Sequence, residues 1–252
     1  MSIKNFYPEN IKYEKRTYRE TVRTSGLVHF SVSVKETDLL ISAERDLSKE
    51  AMGAVLKYRN QIEKYIEEFP VFKTTLEPYT PGKLAAKIVQ DMSRFCSKVG
   101  VGPMASVAGA ISEFVGYDLM PLSGEFIIEN GGDIFMNSKK TRKIGIYAGK
   151  SPLSNKTAIE IQPHPCPLGI CTSSGTVGHS FSFGKADAVV VISRSAILAD
   201  AAATAIGNVI QTKDDILNGI ELAEKIEGLS GVVIVKDDKM GCFGEIKLVP
   251  WI

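Results

Sequence analysis

Pairs of short runs that alternate apolar and polar residues, separated by long helical stretches, occur twice along this chain and restrict its fold more than any other feature. Residues 27–34 and 39–44 alternate on either side of Lys35-Glu36-Thr37-Asp38, which predicts a β-hairpin. Helical periodicity follows from Asp46 to Phe69, where Pro70 ends it, and Ser48 is placed to cap it. Thr80-Pro81-Gly82 opens a second helix to about Lys98, and Pro103 starts a third through about Val115. Strands return at 124–130 and, past a polar G-G-D-I loop, at 143–148. In the second half, strands at 158–162, 169–173 and 187–192 precede helices at 195–210 and 213–226, and strands at 231–236 and 243–249 close the chain. The expectation is an α+β fold: antiparallel sheets covered by helices, in one domain over 1–252 built of two repeated units, about 25–148 and 157–250. A doubly wound parallel sheet needs strict strand-helix alternation, which is missing. The lone Gly100-x-Gly102 lacks both the third glycine and the preceding strand of a dinucleotide fingerprint.

Composition excludes several classes of function. A formal net charge of +1 gives no broad electrostatic footprint for nucleic acid. Lys12, Lys15, Arg16, Arg19 and Arg23 alternate with Glu14, Glu20, Tyr13 and Tyr18, as a solvated strand face does. The first residues hold no apolar stretch of secretory length, and the longest mostly apolar run, 99–111, is short and broken by Pro103. The expected location is the cytoplasm, with Cys96, Cys166, Cys171 and Cys242 as reduced thiols. The spacing of Cys166 and Cys171 fits neither a C-x-x-C redox motif nor a zinc knuckle.

The chemistry-bearing segment is 171–208. A Ser/Gly turn with a histidine leads into a β-branched run and then an alanine-rich helix with Asp200 and Thr204 four residues apart. That spacing sets a carboxylate and a hydroxyl on one helical face, among alanines too small to block a hard cation or a phosphate: half of a magnesium site. The plainer reading is close helix packing, with Thr204 bonded to its own helix. In the turn, Thr172, Ser173, Ser174 and Gly175 offer hydroxyl and backbone donors to a phosphate, and His179 could serve as a general base. Gly102 and Ser106, at the start of the helix after Pro103, suit an anion or, equally, tight packing. His164, between two prolines, and His29, on the first strand, carry no such signal.

Three blocks, taken in order, resemble the ApbE family of flavin transferases. They are Gly109-Ala110-Ile111 opening a helix, a strand followed by Gly131-Gly132-Asp133, and the Ser-Gly turn, His179, strand and A-D-x-x-x-T-A helix around Asp200 and Thr204. The resemblance implies a T-fold-like duplicated α+β unit. It implies Mg2+ held by Asp200, Thr204 and a backbone carbonyl near Ala110, with FAD or FMN as the ligand. Gly132 and Asp133 become ligand contacts. Two departures stand out: Glu113 replaces a lysine usual in the family, and His179 is followed by Ser180-Phe181-Ser182-Phe183-Gly184 rather than an isoleucine-aspartate-proline stretch and an R-T-G turn. Covalent flavinylation of a protein is therefore not expected. The alternatives are a non-catalytic ligand-binding protein and a sulfur-assimilation factor using Cys166 and Cys171. The expected partner is a phosphate-bearing small molecule, with no nucleic acid and no membrane, and a homodimer stays open.

Overall fold

The structure is a computed structural model and describes residues 26–177 and 182–251. The basic run from Lys12 to Arg23 and the candidate base His179 lie outside the described residues. The hairpin of β1 (Val28–Val34) and β2 (Thr37–Ala43) forms as expected, its turn eased by Lys35 at φ +52. The helix α1 (Ser48–Glu68) buries Ala51, Ala54, Val55, Tyr58, Ile62 and Tyr65, a three-and-four spacing that lays one stripe on the sheet. Its N-cap position is Leu47, and Ser48 does not cap: the Ser48 N–H donates to the Asp46 carboxylate at 2.9 Å instead.

After the short α2 (Val71–Thr74), α3 begins at Lys87, well after Pro81, and runs to Val99. Tyr79, in the intervening extended stretch, packs edge-on against Phe72 and Tyr65, anchoring segment 75–86 as a loop. Gly100, at φ +75, stops α3 in the left-handed conformation. A 3-10 turn at Pro103–Ser106 then leads into α4 (Val107–Leu119).

The G-G-D-I segment is not a loop. Gly131 and Gly132, at φ +68 and +103, make a tight turn between β3 (Phe126–Asn130) and β4 (Asp133–Asn137). The remaining elements are β5 (Arg142–Gly145), β6 (Thr157–Ile161), β7 (Leu168–Ser173), β8 (Ala188–Ser193), α5 (Ala196–Asn208), α6 (Ile216–Glu224), β9 (Leu229–Lys236), β10 (Lys239–Gly244) and β11 (Leu248–Pro250). The closing strand expected at 243–249 is thus two strands, broken where Gly244 turns to φ +82.

Eight strands form one antiparallel sheet in the order β1-β2-β3-β4-β7-β8-β9-β10, and β11-β6-β5 form a second. Strand 158–162, expected in the second unit, therefore belongs to the small sheet. Alternation shows which residues face a core but not which sheet a strand joins. In the large sheet, β1 to β4 and β7 to β10 run in sequence order, and helices stand between the second and third strand of each set. The two sets meet at a short seam, where Ile134 pairs with Ile170, Phe135 with Gly169 and Met136 with Leu168.

Helices cover one face of the large sheet and the small sheet covers the other. That double cover explains why every residue of β8 is buried. Val189 and Val191 join the core under the helices, while Ala188, Val190 and Ile192 join the core under the small sheet. Each buried branched side chain contributes about 1.5–3 kcal/mol, so both cores are substantial. Among the described residues no single helix is long and apolar enough to cross a membrane.

Candidate functional site

Gly109, Asp133, Thr172 and Asp200 come together where α4 and α5 cross above the β4–β7 seam. Gly109 and Asp200 touch there: a Cβ on Gly109 would lie 2.4 Å from the carbonyl oxygen of Ala196 and 2.9 Å from Cβ of Asp200. Only glycine lets the two helix backbones come so close. As a result the Gly109 N–H, in the first turn of α4 where no intrahelical acceptor exists, donates to Oδ2 of Asp200 at 2.9 Å. Gly169 of β7 makes the same kind of approach from below, with its Cβ position 2.3 Å from Cα of Ala196.

Asp133 opens β4 beside them. The N–H of Thr172 donates to its Oδ1 at 3.3 Å, and the Ser112 hydroxyl donates to its main-chain oxygen at 3.2 Å. Gly132 adjoins Thr172, and its N–H donates to Glu129 at 2.8 Å. Asp133 is buried, and burial pushes its carboxyl well above the ordinary range, reinforced by the Asp200 charge. Burial likewise raises Asp200, to about 7, while the Gly109 N–H pulls the other way. The two carboxyls, one from before the seam and one from after it, lie close enough for the Asp200 charge to act on Asp133.

Thr204 lies one turn beyond Asp200 on α5, half-buried, on the same face. Asp200 and Thr204 are hard oxygen donors, the set Mg2+ prefers, and among the described residues no group of three His, Cys, Asp or Glu is arranged to cage an ion alone. This donor set fits a divalent cation that keeps positions for water or for a substrate's phosphates. Ala110 is wholly buried in the helical core, and the main-chain group of α4 that meets Asp200 is the N–H of Gly109. The α4 carbonyl that engages side chains is Ala108, which accepts from Ser112 at 3.0 Å and Asn130 at 3.2 Å.

Thr172, Ser173 and Ser174 are half-buried at the end of β7, and Gly175 is exposed. Ser174 turns back on its own loop, accepting the N–H groups of Thr176 and Val177 at 3.1 and 3.0 Å. Residues 182–184 fold onto the end of α5. Phe183 donates its N–H to Asn208 at 3.0 Å and accepts from Gln211 at 2.9 Å, and a Cβ on Gly184 would sit 1.7 Å from the Gly207 oxygen.

The turn at Gly102 and Ser106 is not brought to this site as a ligand cradle. A Cβ at Gly102 would lie 2.0 Å from the Thr75 oxygen, so loop 75–86 covers it. Ser106 is wholly buried, donates to the Pro103 oxygen at 3.1 Å and accepts from Cys96 at 3.2 Å. Small residues here serve packing. Cys171 is buried with its thiol toward the Ala196 oxygen at 3.3 Å, and burial together with the Asp133 and Asp200 charges pushes it well above the ordinary thiol range. It stays a thiol, whereas Cys166 is exposed on the turn before β7, and all four cysteines are free.

Sequence reasoning missed Glu113 as a structural partner. Its buried carboxylate accepts from the Ser195 hydroxyl at 2.8 Å and the Ile197 N–H at 3.1 Å, at the N-terminus of α5. The available signal was Ser195, the N-cap whose hydroxyl also accepts from Leu198.

A family model described as AbpE bacteria matches residues 19–227. A UPF0280 protein of Methanococcus aeolicus is 41% identical over 226 residues, covering 87% of this chain and 91% of its own length. A UPF0280 protein of Methanosarcina acetivorans is 35% identical, covering 90% of each chain. Among solved structures, the apo form of the flavinyl transferase ApbE from Pseudomonas stutzeri superposes with a TM-score of 0.57 at 15% identity, over 86% of this chain and 93% of that one. The ApbE protein from Thermotoga maritima gives a TM-score of 0.56 at 12% identity, over 87% and 97%. At such identities the structures show a shared fold.

Proposed function

This chain belongs to the family described as AbpE bacteria, and from that premise we propose that it binds a flavin nucleotide or a related pyrophosphate ligand together with Mg2+ across the β4–β7 seam. The observation that carries the reading is the approach of the buried Asp133 carboxyl and the half-buried Asp200 carboxyl, whose charge acts on Asp133, with the hydroxyl of Thr204 one turn from Asp200. Such a pair favours a divalent cation, because burying like charges together is costly until a counter-charge enters. The fold relative from Pseudomonas stutzeri is a flavinyl transferase, which supports a flavin as the ligand class.

In this reading Asp200 and Thr204 hold the cation, and Asp133 accepts a hydrogen bond from a ligand hydroxyl or from a bound water. Ser173, Ser174 and Gly175 face the phosphates from the end of β7. His179 is the proposed general base. Mg2+ supplies charge neutralisation for phosphate oxygens. Titration of Mg2+ into protein and FAD by calorimetry should show coupled binding that weakens at least ~100-fold in Asp200→Ala, as expected when a ligand itself is removed. Equal heats in both proteins would take Asp200 out of the site.

The same reading holds that the chain does not attach FMN to a partner protein. Phe183 and Gly184 are pinned to Asn208, Gln211 and Gly207, so these two residues, where the family has its R-T-G turn, are committed to packing on α5. A displacement of about 1 Å in a reacting group can cost ~100-fold in rate, and an altered positioning segment exceeds that. Incubation with FAD, Mg2+ and a protein bearing a family-type threonine acceptor should leave the acceptor's intact mass unchanged. An FMN-sized increase, lost in His179→Ala, would make the chain a flavin transferase.

A further inference from the structure

The α4–α5 crossing is built from two reciprocal contacts. In one, Asp200 of α5 accepts the orphan N–H of Gly109 in the first turn of α4 at 2.9 Å. In the other, Glu113, one turn further along α4, accepts from Ser195 at 2.8 Å and from the orphan N–H of Ile197 in the first turn of α5 at 3.1 Å. Each helix therefore carries a carboxylate that satisfies the other's open N-terminus. Between the two contacts the backbones touch, the Cβ position of Gly109 being 2.4 Å from the Ala196 oxygen. With the backbones in contact, sliding or rolling of α5 breaks both contacts together.

Resting on the proposed cation site, we infer that Glu113 is a positioning residue for Asp200: by fixing the start of α5 on α4, it sets where the free carboxylate oxygen of Asp200 points. Glu113 itself is spent on α5 donors and does not reach the ligand. Its influence travels one turn, from Ile197 to Asp200.

The test uses the full chain with Mn2+ and FAD, Mn2+ affinity being read by water-proton relaxation, and with metal-free protein for hydrogen exchange at the Gly109 amide. Glu113→Ala should weaken Mn2+ binding by ~10–100-fold, the range for partners that orient a metal ligand. It should also speed exchange at Gly109 by at least roughly 10-fold, the effect of losing about 1.4 kcal/mol of protection. Glu113→Gln keeps an acceptor oxygen and should restore both to within about 3-fold, because the contact needs geometry more than charge. Ser195→Ala, which removes one donor only, gives a milder change in the same direction and serves if Glu113→Ala does not fold. The Asp200→Ala, Glu113→Ala double variant should bind no more weakly than Asp200→Ala alone. A folded Glu113→Ala protein with wild-type Gly109 exchange and wild-type Mn2+ affinity overturns the inference, as do additive losses in the double variant. If wild type binds no Mn2+, the cation site fails, and the Gly109 amide alone decides whether Glu113 holds the crossing.

Discussion

Gly109→Ala should lower the melting temperature by roughly 10 °C, against the usual direction for this substitution, since alanine in a helix interior is normally better than glycine by about 1 kcal/mol. Here the added methyl group would sit 2.4 Å from the Ala196 oxygen, 2.9 Å from its carbonyl carbon and 2.9 Å from Cβ of Asp200. Two of those atoms are backbone and cannot rotate away. Pushing α5 off α4 costs about 1–3 kcal/mol as overpacking. It also strands the Gly109 N–H from Asp200, for a further ~1–3 kcal/mol. Gly53 of α1 is the internal control, because nothing lies within 4 Å of its Cβ position. Gly53→Ala should melt higher than wild type in the same thermal scan. A Gly109→Ala protein that also melts at or above wild type would show that the two helices do not meet as described.

Asp200→Asn should melt ~5 °C higher than wild type at pH 8 without metal, and the advantage should shrink steadily with falling pH and vanish only below about pH 4. The folded-state pKa of Asp200 is raised to about 7 by burial, whereas an unfolded aspartate titrates near 3.9. Between those values the folded state holds a proton that the unfolded state releases. Stability from this group is therefore greatest at low pH and is lost as pH rises through about 7. Asp133 is raised for the same physical reason and adds to the trend. Other carboxylates, such as Glu125 with its buried Arg142 partner, shift the opposite way, so the informative quantity is the difference between the two proteins across pH. Asparagine retains an oxygen for the Gly109 N–H but bears no charge. Melting curves that run parallel from pH 5 to pH 8 would show that Asp200 ionises as a solvated carboxylate does.

How far the fold was legible depended on whether the deciding contact was local. The β1–β2 hairpin was readable because both strands alternate, and the expected helix 195–210 falls close to Ala196–Asn208 because Ser195 caps an alanine-rich stretch. Strand β4 was hidden, since Gly131-Gly132-Asp133 reads as a loop until two positive φ angles turn it into a tight hairpin. The membership of β6 in the small sheet could not be read at all, because its apolar face looks the same whichever sheet it joins. At the site, Asp200 and Thr204 were visible because four residues in a helix fix their common face. The bond between Gly109 and Asp200 joins residues 91 apart, and it exists only because three backbones approach at Gly109, Ala196 and Gly169. A glycine's identity in sequence does not say which distant carbonyl it must clear. At Gly102 and Ser106 the sequence left an anion and tight packing equally open, because their neighbours at Thr75 and Cys96 are supplied by the fold.

Gly109 and Asp133 come from the strands and helices before the seam, Thr172 and Asp200 from those after it, and only three residue pairs knit the seam itself. Any occupant that engages all four is therefore a rivet between two leaves of one sheet. Its binding free energy becomes resistance to their parting, by mass action alone. Vacant protein should accordingly open first along β4 and β7, and amide protection there would rise with occupancy while the outer strands β1 and β10 stay indifferent.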